Sequence, residues 1–489
     1  MLQQTNWKQV LVTVSVLALA GCARDGKGVA EDVGKAIGTP KSIQYSGSGS
    51  IYAIGQAYQP NDRYSKFNLK SYVRAIDYEK NAGREEDVRT QFENPPRGGG
   101  QQPVFGERRG VAFVSGEAAW NPGPNGAVPA AQAIDERQVQ IAVTPHGWAR
   151  AAANAADATV ESKTEDGESM TVVTFTLKGK YKVSGYVDDQ NMLVKVDTWL
   201  PHPVLGDMLV ETTYADYKDY NGVKFPTKIT QTQGGFPVLE VNVSEVQPNA
   251  AANIEVPAGV AGAAPAPVKV DSQKLADGVW FLGGGSHNSA VIEFKDHVFV
   301  IEGPLDDERA SAVIAEAKKL VPNKPIKYAL NTHHHFDHSG GLRAFVAEGV
   351  TIITHEMNKP YYEKTLAMPR TLKPDSLSKS PKEPKFQTVT DKYELTDGSR
   401  TVKLFNIKNT HNPGMIVAYL PKEKILIEPD LFTRLPPNAP MPPGVSPFTV
   451  ELQSNLKDLK LDVRQIAPLH GRVVPMAEMQ KMLAIAKKG

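Results

Sequence analysis

The segment T-H-H-H-F-D-H, which ends at His338, constrains this chain more than any other, because four of its residues can bind a metal ion. His333, His335, Asp337 and His338 follow the spacing H-x-H-x-D-H. An apolar run at 326–330 precedes the segment and a helical pattern follows it, which predicts a strand, a tight loop and a helix. Side chains alternate along an extended segment, so His333 and His335 should point the same way and His334 elsewhere. Imidazole and carboxylate ligands suit zinc, and this position favours a metal site over a surface histidine tract.

The length and charge of the chain limit what surrounds this segment. A chain of 489 residues is too long for one compact core, so two domains are expected. Its net charge of +1 lacks the basic excess typical of nucleic-acid-binding proteins, so no nucleic-acid partner is predicted. Nine of the eleven histidines follow residue 270, which places the chemistry in the C-terminal half.

The N-terminus has the pattern of an export signal. Lys8 precedes an apolar run at 10–20, which is too short to span a bilayer comfortably. The run ends in L-A-G-C, which resembles the lipobox of bacterial lipoproteins. The resemblance implies a signal peptide at 1–21, cleavage, and a lipid on Cys22. An ordinary secretory signal with a chance cysteine is the alternative.

Lipidation would also explain the cysteine content. Cys22 is the only cysteine, so no intrachain disulfide can form. Residues 22–44 are then expected to be a flexible, lipidated tether, with the protein anchored in the cell envelope outside the cytoplasm. Because Ala23 is not an aspartate, the resemblance implies the periplasmic side of the outer membrane if the host is Gram-negative. The membrane is thus an expected partner.

Residues 45–247 are predicted to form a mainly antiparallel β domain, with a half-barrel as the candidate architecture. Apolar and polar residues alternate at 66–75 and at 173–177, and Asn221-Gly222 is a strong hairpin signal. We expect a single short helix, at 148–156. Residues 214–226 weakly resemble periplasmic lipoprotein-carrier-like domains. No catalytic cluster is expected here, and a scaffold, spacer or apolar-ligand-binding role stays open.

An interdomain linker rich in Ala and Pro is predicted at 248–272, and a second domain at 273–489. Strands and amphipathic helices alternate in that second domain, which indicates an α/β layered fold. Three more candidate ligands, His411, Asp430 and His470, each lie near one end of an apolar run. Such positions converge on one edge of a sheet.

Four motifs together resemble the metallo-β-lactamase-fold hydrolases. They occur in the expected order: the T-H-H-H-F-D-H segment, H-x-P-G at His411, D-L at Asp430 and H-G at His470. The resemblance implies a four-layer αββα sandwich that holds two zinc ions per chain and no other cofactor. The implied ligands of the first ion are His333, His335 and His411, and those of the second are Asp337, His338 and His470, with Asp430 bridging both.

Two positions depart from the family pattern. Glu302 stands where the family usually has an aspartate after its second strand, and its longer side chain still allows a contact behind the ligands. Thr410 stands where a glycine often precedes the histidine of the third motif, and it could narrow access. Of the remaining histidines, His355 is expected to be a satisfied strand-end residue, whereas His287 is a weaker functional candidate in a glycine-rich turn.

The resemblance predicts a zinc-dependent hydrolase that uses a metal-bridging hydroxide. Its substrate would be a small molecule with an ester, lactone, thioester or β-lactam carbonyl. Asp337 is expected to orient the nucleophile and shuttle a proton, or to act as a ligand only. One alternative is an iron-dependent persulfide-type oxygenase on the same fold. Another is a non-catalytic envelope lipoprotein that binds a lipid or other ligand. His335, in a place where the flavodiiron branch has Glu, argues against that branch. No oligomeric state is predicted.

Overall fold

The computed structural model of the chain describes residues 24–165, 167–434 and 444–486. The predicted signal peptide and Cys22 lie outside these residues. None of the helices within them is long and apolar enough to cross a membrane. The described residues form an N-terminal domain built on one large antiparallel sheet and a C-terminal domain of two mixed sheets with helices, as the sequence predicts.

The described N-terminal domain has thirteen strands in a single sheet. These are β1 (Ser42–Ala53), β2 (Ser65–Asp77), β3 (Ala82–Gln91), β4 (Arg108–Ser115), β5 (Ala118–Gly123), β6 (Gly126–Pro129), β7 (Thr159–Glu165), β8 (Glu168–Leu177), β9 (Tyr181–Val187), β10 (Leu193–His202), β11 (Gly206–Tyr220), β12 (Val223–Gln233) and β13 (Phe236–Pro248). Their order is β6-β5-β4-β3-β2-β1-β13-β12-β11-β10-β9-β8-β7. Because β1 pairs with β13, the first and last strands join two meanders into one antiparallel sheet.

Three helices cover this sheet, rather than the single helix predicted. They are α1 (Gly26–Ile37), α2 (Ile134–Ala142) and α3 (Pro145–Ala153). The prediction of a flexible tether at 22–44 is wrong over α1. Val29, Val33 and Ile37 lie on one face of this helix and are buried in the domain core. Trp148 of α3 is 0% exposed and lies against Gly185, where a Cβ would come within 2.2 Å of the indole.

The hairpin prediction is confirmed, but the alternation in β2 is only partly as expected. Asn221 and Gly222 both have positive φ and join paired residues of β11 and β12, as a two-residue hairpin requires. A bulge interrupts the pairing of β2 with β3 after Leu69. It shifts the alternation by one residue, so Arg74 is buried, whereas the sequence places it on the solvent face.

His146 should make the N-terminal domain sensitive to acid. Its ring is 2% exposed, its Nε2 lies 3.2 Å from the Ile37 carbonyl, and burial lowers its pKa to about 4. In the unfolded chain the pKa is near 6.5, so the unfolded state binds the proton first and stability falls as pH drops from about 6.5 to 4. We expect His146→Gln to flatten the pH dependence of the free energy of unfolding by up to ~3 kcal/mol in that range. Denaturant titrations at pH 7.5 and pH 4.5 measure it, and an unchanged difference would contradict this role.

The C-terminal domain contains two sheets of parallel and antiparallel strands. The first consists of β14 (Asp271–Ala276), β15 (Val279–Gly283), β16 (Ser289–Glu293), β17 (Val298–Ile301), β18 (Ile326–Leu330), β19 (Thr351–His355) and β20 (Lys385–Val389) in that order. The second consists of β21 (Lys392–Thr396), β22 (Thr401–Asn406), β23 (Ile416–Leu420), β24 (Ile425–Glu428), β25 (Gln465–Pro468) and β26 (Val474–Pro475), also in that order.

Helices cover the outer faces of both sheets. They are α4 (Asp307–Leu320), α5 (Phe336–Ser339), α6 (Leu342–Glu348), α7 (Lys359–Leu366), α8 (Ser376–Lys379), α9 (Pro447–Asp458) and α10 (Met476–Ala486). One apolar core fills the space between the sheets, and separate cores lie under the helices on each side. This layering is the αββα sandwich that the sequence predicts.

The two domains pack tightly on each other. Tyr64 and Val204 of the N-terminal domain share an apolar cluster with Phe336 and Tyr361 of the C-terminal domain. Arg370 adds two hydrogen bonds to backbone carbonyls at the end of β10 and just after it. The Ala/Pro-rich segment between the domains has no regular structure up to β14, although Val260 within it is buried against the β sheet. The N-terminal domain therefore presents a fixed surface to the C-terminal one.

Candidate metal centre

The H-x-H-x-D-H segment lies in the loop between β18 and α5, at one edge of the first sheet. Asn331, directly after β18, donates hydrogen bonds from Nδ2 to the carbonyls of His333 (2.8 Å) and His338 (3.2 Å). Its Oδ1 accepts from the Tyr362 hydroxyl at 2.6 Å. Because these buried bonds hold the loop backbone, the histidine side chains leave it in fixed directions.

One cluster of ligand atoms contains three histidines and an aspartate. His333, His335, His411 and Asp430 each offer one atom, and these atoms all lie within 4.8 Å of one another. His411 Nε2 lies 3.1 Å from His335 Nδ1, and His333 Nε2 lies 3.0 Å from Asp430 Oδ2. His411 comes from the loop before β23, and Asp430 from the end of β24. The structure therefore brings together residues nearly a hundred positions apart.

A second cluster adjoins the first. Asp337, His338 and His470, which the sequence predicts as ligands, are joined there by His287. His338 and His470 approach each other at 2.9 Å through their Nε2 atoms, and His287 Nε2 lies 2.9 Å from Asp337 Oδ2. His287 is not among the predicted ligands, and its only sequence signal is the glycine-rich turn before β16.

Asp430 connects the two clusters. Its Oδ2 lies 3.2 Å from the Nε2 atoms of both His411 and His338. Its Oδ1 lies 2.9 Å from His470 Nε2. One carboxylate thus reaches ligand atoms of both groups, which is the bridging position that the resemblance implies.

The unpaired atoms of the site fit a metal ion. His333 Nε2 and Asp430 Oδ2 are buried and have no hydrogen-bond partner among the described residues, although they lie only 3.0 Å apart. Buried polar atoms without partners are costly and rare in folded proteins. A divalent cation between them would satisfy both, and a set of imidazole nitrogens and carboxylate oxygens is one that zinc accepts. The residues present therefore fit the group.

The protonation states of the histidines also fit a bound metal ion. Burial lowers the pKa of His333 well below its usual value and that of His335 to about 3, so both rings are neutral, as metal ligands must be. At His338 burial also opposes protonation, but the carboxylates of Asp430 and Asp337 outweigh it and raise the pKa. A metal ion held by His338 would have to displace this proton, and the same two carboxylates would stabilise the ion.

Two departures from the family pattern are accommodated. Glu302, at the end of β17, is 0% exposed, and its Oε2 lies 2.8 Å from His338 Nδ1. This confirms the expected contact behind the ligands and fixes the ring orientation. Thr410 bonds to the carboxylate of Glu451 through both its backbone N–H and its hydroxyl. That pairing ties the side chain to α9.

One further site prediction is confirmed, and two contacts at the site were not predicted. His355 bonds the Thr390 carbonyl at 3.1 Å, which confirms its satisfied strand-end role. The residues that sequence reasoning missed come from the N-terminal domain, where no site residue is predicted. Gln56 donates to Asp337 Oδ1 at 2.7 Å, and the Ala57 carbonyl lies 2.8 Å from His335 Nε2. Gln56 and Asp337 are 281 positions apart, and no motif marks the turn that holds Gln56.

Comparison with known proteins assigns the C-terminal half. Residues 282–474 match the model of the Metallo-beta-lactamase superfamily. They form a metallo-beta-lactamase superfamily domain. This metallo-beta-lactamase domain contains both ligand clusters, together with Glu302. No match to a curated protein sequence was found for the chain.

Several solved structures are similar to the metallo-beta-lactamase domain, and each of them covers less than half of the whole chain. A metallo-beta-lactamase from Pontibacter korlensis is 17% identical and covers 45% of this chain and 100% of its own, with a TM-score of 0.36. The mono-zinc form of metallo-beta-lactamase FIM-1 from Pseudomonas aeruginosa is 19% identical, with coverages of 46% and 97% and a TM-score of 0.35. Rubredoxin oxygen:oxidoreductase from Desulfovibrio gigas is 19% identical, with coverages of 44% and 62% and a TM-score of 0.35.

Proposed function

We propose that this chain is a zinc-dependent hydrolase with two metal sites, acting on a small molecule that carries an ester, lactone, thioester or β-lactam carbonyl. The observation that supports it best is the Asp430 carboxylate, which contacts ligand atoms of both clusters. When bound, a pair of zinc ions supplies Lewis acidity and a nucleophilic hydroxide near neutral pH.

The side chains would divide the work as follows. His333, His335 and His411 would hold one ion, and His338, Asp337 and His470 the other, with Asp430 shared. The first three are 0–7% exposed as side chains, whereas Asp337 is 27% and His470 19% exposed. The substrate would therefore approach over the second group. Asp337 Oδ2 would orient the nucleophile there, next to His287, which lies within reach of a transferred proton.

The location is proposed from the N-terminal sequence. A lipid on Cys22 would anchor the chain to a membrane outside the cytoplasm. Substrates that reach the cell envelope then fit better than intracellular RNA or glutathione thioesters. Globomycin-sensitive processing and a fatty-acid label that is lost in Cys22→Ser would support the anchor, and an unlabelled wild-type chain would contradict it.

The test of the proposed reaction combines metal analysis with a substrate panel. We expect about two zinc ions per chain and turnover of at least one ester, lactone, thioester or nitrocefin substrate. The activity should disappear on chelation and return with zinc. A matched control is His355→Gln, because His355 is a histidine of the same domain that bonds a backbone carbonyl. Fewer than two metals with no turnover would count against the proposal. Iron after anaerobic purification, with oxygen uptake, would favour the oxygenase instead.

A second candidate function is ligand binding by the N-terminal domain. A cavity of about 410 Å³ lies inside that domain, with Tyr45, Phe225 and Leu239 in its wall. The hydroxyl of Tyr72, which also lines it, is buried and has no hydrogen-bond partner among the described residues. The cavity would suit a small amphipathic ligand with a polar end. Native mass spectrometry of the purified chain should detect a bound lipid-sized molecule, and Tyr72→Trp should reduce its occupancy.

A further inference from the structure

A turn of the N-terminal domain lies directly against the candidate metal centre. Gln56 and Ala57 belong to the connection between β1 and β2. Gln56 Nε2 donates to Asp337 Oδ1 at 2.7 Å. The Ala57 carbonyl lies 2.8 Å from Nε2 of His335. One short turn thus makes a polar contact with a ligand residue of each cluster.

The contact with Ala57 determines which nitrogen of His335 faces the site. A carbonyl only accepts hydrogen bonds, so Nε2 must carry the proton and donate it. Nδ1 is then the unprotonated nitrogen, and it is the atom that lies 3.1 Å from His411 Nε2 within the first cluster. Partners of this kind behind a ligand fix its tautomer and ring orientation.

The contact with Gln56 is equally directional. Its Oε1 accepts a hydrogen bond from the Gly100 N–H at 3.0 Å, so the amide must point its NH₂ group at Asp337. Asp337 therefore uses Oδ1 for Gln56, while Oδ2 lies 2.9 Å from His287 Nε2 and 3.8 Å from His470 Nε2. The two carboxylate oxygens have separate partners, and Oδ2 is the one turned toward the metal ligands.

Glycines allow the two domains to come this close. A Cβ on Gly99 would lie 1.9 Å from Gln56 Oε1 and 2.8 Å from His335 Cε1. A Cβ on Gly55 would lie 2.1 Å from Phe336 Cγ. The backbone N–H of Gly98 also donates to the carbonyl of Thr410, the residue before His411. The irregular loop at 95–103 is thus bonded to the loop that carries a ligand.

We propose that the N-terminal domain completes the metal centre, with Gln56 and the Ala57 carbonyl as the groups that position Asp337 and His335. The inference rests on the proposed metal-binding function, and it assigns the N-terminal domain a role in that function. It also explains the exposures, because the turn and the 98–100 loop cover the first cluster and leave Asp337 and His470 as the open side. Gln56 is a positioning residue, since its contact is with a ligand side chain.

The decisive experiment measures zinc affinity in the full chain, without any substrate. Gln56→Leu keeps the size of the side chain but removes the donor to Asp337. Competition with a chromogenic chelator should show that one of two zinc ions binds about 10-fold more weakly, the lower end of the 10–100-fold effects seen when partners behind metal ligands are removed. The visible spectrum of the cobalt-substituted chain should change at the same time, which a purely structural role would not cause.

A second pair of variants tests the contact with the other cluster. Gly99→Ala should weaken the ion held by His335, because the added methyl displaces that ring or the Gln56 amide. Gly259→Ala is its control, since a Cβ there meets no atom within 4 Å. The Gln56→Leu variant of the first experiment also needs a control. Gln59→Leu serves for this, because Gln59 is an exposed glutamine three residues further on in the same turn. Both controls should bind zinc as the wild type does.

The outcomes separate this inference from the proposed hydrolysis. If wild type binds two zinc ions and both Gln56→Leu and Gly99→Ala keep wild-type affinities, the inference is overturned while the hydrolase proposal stands. If those variants lose affinity but no substrate of the panel is turned over, the positioning role is supported and the proposed reaction is not. A wild-type chain that binds no zinc would overturn both.

Discussion

Replacing Asp430 by asparagine should lower the zinc content from two ions to one or fewer and reduce kcat/KM by more than ~100-fold, beyond the 10–100-fold range typical of partners behind the ligands. The Asp430 carboxylate is the only group described here whose two oxygens lie within 3.2 Å of ligand nitrogens from both clusters. Asparagine has nearly the same shape but lacks the charge and the second oxygen, so it cannot bridge two cations. Metal analysis and steady-state kinetics of the full chain measure both effects.

The control for this substitution is Asp462→Asn, which removes an aspartate from the same domain. The Asp462 side chain is 67% exposed and pairs with Lys424 at the surface, so its loss should leave zinc content and kinetics unchanged. An Asp430→Asn chain that still binds two zinc ions with wild-type affinity would show that Asp430 does not bridge. The two-metal hydrolase would then lose its main support.

The ligands could be predicted because each follows or precedes a strand. His411 precedes β23, and Asp430 and His470 follow β24 and β25, so these three lie at one edge of the second sheet. His333 follows β18 of the first sheet and meets them because the two sheets pack face to face. That these four residues form one ligand set was implied by the family resemblance. The H-x-H-x-D-H spacing then supplied the local geometry. His287 carried a weaker signal, because a lone histidine in a glycine-rich turn has no spacing partner. Its position next to Asp337 depends on how the connection between β15 and β16 lies against the loop after β18 of the same sheet.

The contribution of the N-terminal domain could not be predicted in this way. Gln56 lies in a turn without any recognisable motif, and its contact with Asp337 depends on how the two domains pack on each other. Tertiary packing also explains why α1 is helical. Its glycines and polar residues give little intrinsic helical preference, and the helix is stabilised because Val29, Val33 and Ile37 pack on the sheet.

The prediction of which β2 side chains are buried was wrong for a different reason. Alternation of apolar and polar residues locates a strand, but a single inserted residue reverses the faces beyond it. The bulge after Leu69 buries Tyr72 and Arg74 in the N-terminal domain, where they line its cavity. No signal in the sequence marks this bulge, since Lys70 and Ser71 are ordinary strand residues.

Removing the metal ions should lower the melting temperature of the chain by roughly 10 °C. With free zinc 1,000-fold above its dissociation constant, binding stabilises the folded state by about 4 kcal/mol, and each kcal/mol is worth about 2–4 °C in a domain of this size. Part of the expected loss has a structural cause, because chelation leaves the buried Asp430 Oδ2 and His333 Nε2 without a hydrogen bond to any described residue. Differential scanning calorimetry at pH 7.5, before and after EDTA and again after zinc is restored, measures the shift. A His333→Ala, His335→Ala double variant lacks the first site, so EDTA should shift its melting temperature by less than half as much. If EDTA strips the zinc from the wild type but leaves its melting temperature unchanged, the clusters are stable without a cation, and the unpaired atoms at the centre of the site need another explanation.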